Sequence, residues 1–296
     1  MVDFVSKQLD QTKNAFYNAN YFWVFLSLFV SLLSHVSRSY RWLFLLETMG
    51  YKPKFSNAYH AVMSGYIINF TVPRSGEIAR AGLLATYEKV PFEKGFATIV
   101  VERVVDVIML GIVVLISGYL QSDSEAFNKI TQSENGGSSN LLWYILIGML
   151  VFGAIGLFFY LKSNKFKSFV NEKLLGFYAG LKSIWTMKKK WAYIFHTVFI
   201  WVCYVSSIWI AAFAFEETKE ITVGCVFGMF VVGAAAISLL PGGIGAYPAW
   251  LTSVLLIYGI DFAGFGVFTW VGQTLMLVVL GLISLFLIQR QPKFEK

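Results

Sequence analysis

Six ionised side chains stand in two tight groups within an otherwise apolar chain. Arg74, Glu77 and Arg80 follow Pro73 in the stretch Asn69-Phe-Thr-Val-Pro73-Arg74-Ser-Gly76-Glu77-Ile-Ala-Arg80. Glu102, Arg103 and Asp106 follow within thirty residues. Glu77 and Arg80 are i, i+3, as are Arg103 and Asp106, while Glu102 and Asp106 are i, i+4, so each group shares a helix face. Arginine's planar fork matches phosphate or carboxylate. Pro73 and Gly76 break the helix beside it, and a broken helix leaves N–H groups free to meet an anion. Two chemistries fit. The charges form a mutually satisfied structural ion network, or they line a polar pocket for an anionic headgroup. Left unpaired inside a bilayer, six charges would cost on the order of 15–20 kcal/mol. They therefore pair, touch water or bind something. A purely structural network leaves the adjacent helix break unexplained.

A second break lies at Pro241-Gly242-Gly243-Ile-Gly245. It carries no ionisable group, so it cannot do acid–base work. No Lys-Ser/Thr follows, so it is not a phosphate loop. It reads as a tight turn between spans, or as a flexible break that opens a gate or brings backbone to a lipid. His35, Arg38 and Arg41 fall about one turn apart in the first apolar run. They snorkel toward headgroups, or Arg38 enters the polar pocket. His35, His60 and His196 lie on separate segments, and no metal site is expected of them.

The elements that position these residues are membrane helices. The chain is 57% hydrophobic and 14% charged, with a mean hydropathy of +0.63. A soluble domain would carry about 25% charge. The composition predicts an all-α, polytopic transmembrane bundle. The net charge of +7 is then a mark of cytoplasmic loops rather than of nucleic-acid binding. Cys203 and Cys225 lie in apolar runs and build no disulfide framework. The first twenty residues hold charges and no long apolar core, so a cleavable signal peptide is not expected.

Residues 1–20 predict an amphipathic interfacial segment. Residues 21–288 form one transmembrane domain with halves at about 21–120 and 141–288, and 289–296 is a cytoplasmic tail. Long apolar runs cover 21–46, 96–120, 141–161, 191–214 and 262–288. The runs 56–72, 78–87, 222–240 and 249–260 flank the two breaks. Residues 249–260 are too short for a crossing of about twenty residues. Lysine-rich 162–190 and the tail are placed in the cytoplasm, and acidic 121–140 and 215–221 outside. Two topologies remain. In one, 56–72 crosses fully and 249–260 crosses obliquely, giving eight spans with both termini inside. In the other, 56–87 and 222–260 are re-entrant hairpins dipping in from opposite sides, every basic loop is inside, and the halves are inverted copies. Paired broken segments in two halves point to a transporter's central site in either case.

Taken in order, Pro-Arg-x-Gly-Glu-x-x-Arg, then Glu-Arg-x-x-Asp, then Pro-Gly-Gly-x-Gly resemble the flippase-like family of lysylphosphatidylglycerol synthase transmembrane regions. The resemblance covers about residues 20–290. It implies a bundle with broken or re-entrant helices, movement of lipid between leaflets, and a bacterial inner membrane. By matching position, Arg74, Glu77, Arg80, Glu102, Arg103 and Asp106 would line the lipid path. Arg38 and Asn69 join them as candidate substrate-binding residues. Pro73, Gly76, Pro241, Gly242, Gly243 and Gly245 are the candidate gating breaks. Where members of the family often carry a glutamate after Pro-Gly-Gly-x-Gly, this chain has Pro248. The leading expectation is a translocase for an anionic or lipid-linked headgroup, with membrane phospholipid as its partner, no cofactor and no catalytic residue. The alternatives are an intramembrane lipid-modifying enzyme using Glu77 or Asp106, and a membrane subunit of an enzyme encoded elsewhere.

Overall fold

A computed structural model describes residues 2–72, 75–122, 161–163, 167, 168, 171 and 182–293, with side chains from residue 10 onward. Its elements are α1 (Val2–Asn18), α2 (Tyr21–Thr48), α3 (Phe55–Thr71), α4 (Gly76–Tyr87), α5 (Phe92–Ser122), α6 (Lys190–Ala212), α7 (Val223–Leu239), a 3-10 turn (Pro241–Gly243), α8 (Ala246–Ile257) and α9 (Gly264–Gln289). Pro73, Arg74 and all but the last residue of the expected span 141–161 lie outside the described residues, as does most of 162–190.

The long helices follow from uninterrupted apolar runs. α2, α6 and α9 are each long and apolar enough to cross a membrane. α2 starts where the Asn20 side chain accepts the Phe22 N–H, an N-cap that satisfies a free donor. It stops at Gly50, whose φ of 86° suits a helix-ending left-handed residue. The Tyr51 N–H then returns to the Leu46 carbonyl at 3.0 Å. α2 and α6 run antiparallel and pack along their lengths. The Asn20 N–H meets the Ala214 carbonyl at one end, and Lys189 meets Glu47 at 2.8 Å at the other. Between them, the buried Ser37 of α2 meets the His196 ring of α6 at 2.7 Å, and small residues allow such close packing between membrane helices.

Both broken segments are hairpins that return to the side they entered from. In the first, Gly65 of α3 faces Gly76 at the start of α4: a Cβ on Gly65 would lie 2.9 Å from the Gly76 carbonyl oxygen. At the open end, Glu88 accepts from the Lys54 N–H and from Asn57, both at 2.9 Å. In the second, Gly233 of α7 faces Tyr247 of α8, and Gly224 faces Tyr258 beyond the end of α8. The two hairpins have the same dimensions, 17 and 12 residues per arm. At 1.5 Å per residue those arms are roughly 26 and 18 Å long, short of a bilayer core of about 30 Å. This geometry matches the re-entrant topology rather than the eight-span one.

The hairpins enter from opposite ends and meet tip to tip. Gly242 lies against the Phe70 ring, so close that a Cβ there would sit 2.2 Å from it. Trp270 of α9 donates its indole N–H to the Gly242 carbonyl at 2.8 Å. Gly242, Gly243 and Gly245 all have positive φ, a conformation only glycine adopts without strain. The second break is therefore pinned between the other hairpin and a spanning helix.

The contacts obey an exchange rule. Swapping α2 with α6, α3 with α7, α4 with α8 and α5 with α9 maps the main packing pairs onto one another. α3 packs on α9 as α7 packs on α5, and α4 packs on α5 as α8 packs on α9. The exchange relates the described segments 21–122 and 190–289. α1 stands apart from the pair and docks on the start of α9, where Gln11 bonds the Asp261 carbonyl and the Ala263 N–H.

Two outcomes are expected. With the buried Cys203 and Cys225 replaced, Lys52→Cys and Lys89→Cys label from one side of the membrane, and Glu220→Cys and Asp261→Cys from the other. Labelling of residues 52 and 89 from opposite sides rejects the re-entrant first hairpin. Gly242→Ala loses about 1–3 kcal/mol to backbone strain, plus the clash with Phe70. In a Phe70→Leu background the clash component shrinks, read as a non-additive shift in unfolding midpoint.

Candidate functional site

The charged residues converge where α2, α4 and α5 meet. α5 carries Glu102 and Asp106 one turn apart. α2 presents Arg38 and Arg41 to them, and α4 presents Arg80. Glu102 has no exposed side-chain surface and serves three arginines. Its Oε1 accepts from Arg38 Nε at 2.7 Å and lies 3.3 Å from Arg41. Its Oε2 accepts from Arg80 at 2.8 Å. Asp106 accepts from Arg38 at 2.7 Å and from Arg41 at 2.8 Å. Arg38 Nη1 donates to the Tyr66 and Tyr204 hydroxyls, at 3.2 and 3.3 Å. Arg80 also lies over the Trp42 ring at 3.7 Å, a cation–π contact. Trp42 is in turn fixed by its hydrogen bond to Thr98 at 2.8 Å.

This core holds three guanidinium groups and two carboxylates, a formal surplus of one positive charge. Two of its donors, Arg41 Nε and Arg80 Nε, are buried without an acceptor among the described residues. The Tyr193 hydroxyl beside Arg41 is likewise unpartnered there. Toward the edge, Arg103 pairs with Glu77 at 2.8 Å and reaches Asp106 at 3.6 Å. Arg103 is 46% exposed and Glu77 28%. The arrangement is graded: a buried, interlocked centre and a half-open rim.

Of the residues singled out from sequence, Arg38, Arg80, Glu102 and Asp106 form the centre. Glu77 and Arg103 form the rim. Arg74 and Pro73 lie outside the described residues. Asn69 performs a backbone task, since its side-chain oxygen accepts the Gly76 N–H at 2.7 Å and so closes the first break. Gly76 is buried against Asn69 and Gly65, Gly242 and Gly243 are held as described above, and Pro241 and Gly245 are exposed. Sequence reading passed over Arg41 as a pocket residue, although its i, i+3 spacing from Arg38 puts both on one helix face. Tyr66, Tyr193 and Tyr204 carried no sequence signal, because an isolated tyrosine in an apolar helix looks like any other interfacial aromatic.

A buried multi-arginine centre beside a broken hairpin, in a bundle of apolar spanning helices, defines a polytopic integral membrane protein. The chain belongs to the lysylphosphatidylglycerol synthase transmembrane-region family, whose model matches residues 2–284. It is similar to a UPF0104 membrane protein from Methanocaldococcus jannaschii, at 31% identity over 161 residues. That alignment covers 53% of this chain and 44% of the relative, less than half of the relative's length. No solved structure matches the chain.

The graded exposure sets the expected stability effects. Glu102→Gln leaves three buried guanidinium groups short of a partner and should lower unfolding free energy by about 3–5 kcal/mol. Arg103→Ala breaks a half-exposed pair and should cost no more than about 1 kcal/mol. Chemical unfolding in detergent measures both, and equal effects at the two positions would contradict the graded description.

Proposed function

We propose that this protein moves an anionic phospholipid or lipid-linked headgroup between leaflets. The observation that carries the reading is the surplus positive charge held beside the first of two opposed, interrupted hairpins. A charge deep in a bilayer bundle is costly and is kept where it meets a substrate or ion path. Arginine forks favour phosphate among anionic groups. Broken helices at corresponding positions of inverted halves are the arrangement transporters use around a central site. In this reading Glu77 and Arg103 meet the headgroup first, Arg74 lies close to Glu77 in sequence, and the Arg38, Arg41 and Arg80 centre sets the potential that attracts it. The membrane is a bacterial inner membrane, with the lysine-rich ends of α2, α4 and α9 on its cytoplasmic side.

The competing reading from sequence, an intramembrane lipid-modifying enzyme, would use Glu77 or Asp106. Both carboxylates are held by arginines. That suits charge balance better than proton transfer, which needs a carboxyl within reach of the reacting group rather than one engaged in ion pairs.

Reconstituted vesicles test the proposal. Wild-type protein should accelerate transfer of a fluorescent anionic phospholipid across the bilayer. Arg74→Ala/Glu77→Ala and Arg103→Ala should each slow it by about tenfold or more, a loss of roughly 1.4 kcal/mol in barrier lowering, while costing no more than about 1 kcal/mol of stability. Lipid transfer at the wild-type rate in both variants rejects the assignment.

A further inference from the structure

His35 is a titratable side chain inside the bundle that the arginine centre does not use. It stands one turn before Arg38 on α2 and is 6% exposed. Its Nδ1 is enclosed and has no hydrogen-bond partner among the described residues. Its Nε2 is not enclosed in this way, so a proton can arrive at that nitrogen. Ionisable residues within spanning helices mark ion and proton paths, and histidine is the side chain whose charge ordinarily changes near neutral pH.

Its surroundings tie it to the centre. From α3 the Tyr66 ring meets the His35 ring edge-on at 4.9 Å, and from α6 the Tyr204 ring lies 6.4 Å away. Both hydroxyls accept from Arg38 Nη1. Behind them stand the charges of the centre: Arg38 and Arg41 on α2, Arg80 on α4, and Glu102 and Asp106 on α5. His196, also on α6, is engaged with Ser37. Toward α9, Ser31 lies one turn earlier on α2 and donates to Gln273, which is uncharged. The charges gathered beside His35 therefore sum to one positive. A proton on His35 would add a second cation to that surplus. An anion held beside the centre cancels the surplus and makes room for the proton.

We propose that the protein carries a proton together with its anion. His35 takes a proton from water at Nε2 when an anionic headgroup is held beside the arginine centre, and returns it when the headgroup leaves. One negative charge and one proton arrive together, so the net charge of the region is the same loaded and empty. Because binding free energies are reciprocal, each partner strengthens the other by the same factor. The inference rests on the transport reading above and adds the coupling ion to it.

Two measurements test it. The full-length protein in unbuffered detergent, with a pH-sensitive dye, is titrated with short-chain phosphatidylmethanol, a phosphodiester whose own charge is fixed near neutral pH. Wild type should take up protons as the lipid binds, and its affinity should fall about fivefold or more between about pH 6 and about pH 8, within the usual range of coupling between two sites. His35→Gln should bind without proton uptake and without that fall. In reconstituted vesicles, a pH gradient should drive the fluorescent anionic phospholipid toward the leaflet on the alkaline side. His35→Gln should lose this bias in the final distribution, whatever its rate of transfer. His35→Asn replaces it if the glutamine variant does not fold, and if neither folds the wild-type proton uptake and gradient bias decide. Wild-type transfer that ignores the gradient and binding without proton uptake overturn the inference while the transport reading stands. Coupling retained in the His35 variant overturns it equally. Absence of any lipid transfer by wild type rejects both.

Discussion

Glu102 is the joint on which the described structure depends. One carboxylate without solvent contact accepts from arginines on α2 and α4 while itself belonging to α5. In water such contacts are weak, because solvent screens both partners. Inside a bundle they are strong and unforgiving, since an uncompensated buried charge is expensive. The consequence is geometric. α2, α4 and α5 cannot slide past one another without exposing a charge to hydrocarbon. Asp106 repeats the arrangement one turn along α5. Together they fix the register of the first hairpin.

That fixed hairpin in turn sets the second. Phe70 at its tip fills the space against Gly242, and Trp270 ties the same carbonyl to α9. Three positive-φ glycines let the chain turn there. The exchange of packing partners between halves gives the bundle two related ends. At one end lie Lys52, Lys54, Lys89 and Lys293, and at the other Glu216, Glu217, Glu220 and Asp261. A fold with inverted halves has, in principle, two equivalent ways of packing one half on the other. The arginine centre breaks that equivalence. Its residues all come from the first half, and the second half has no counterpart charges among its described helices.

Much of the fold could be read from residues alone. The spans around 21–46, 96–120, 191–214 and 262–288 appear as helices within a few residues of those limits, because long apolar runs leave the backbone no other way to satisfy its hydrogen bonds in lipid. The two breaks are equally legible, since proline and clustered glycine interrupt helices for local reasons. The candidate site was only half legible. Arg80, Glu102 and Asp106 announce themselves as charges in apolar surroundings. Arg41 was read as a snorkelling residue, and Asn69 as a ligand-binding one. Which of those roles a polar side chain takes depends on what faces it from other helices.

The sequence by itself determined that this is an all-helical membrane protein with two interrupted segments and a concentrated set of intramembrane charges. Composition, run length and the local chemistry of proline and glycine suffice for that, because each acts on its own stretch of chain. Only the tertiary structure decided that both interruptions are hairpins meeting tip to tip, and that three arginines share one glutamate. Those facts rest on contacts between residues tens to nearly two hundred positions apart. Such contacts are selected by the cost of a lone charge and by the few places where backbones can approach closely, and neither is written in any single segment.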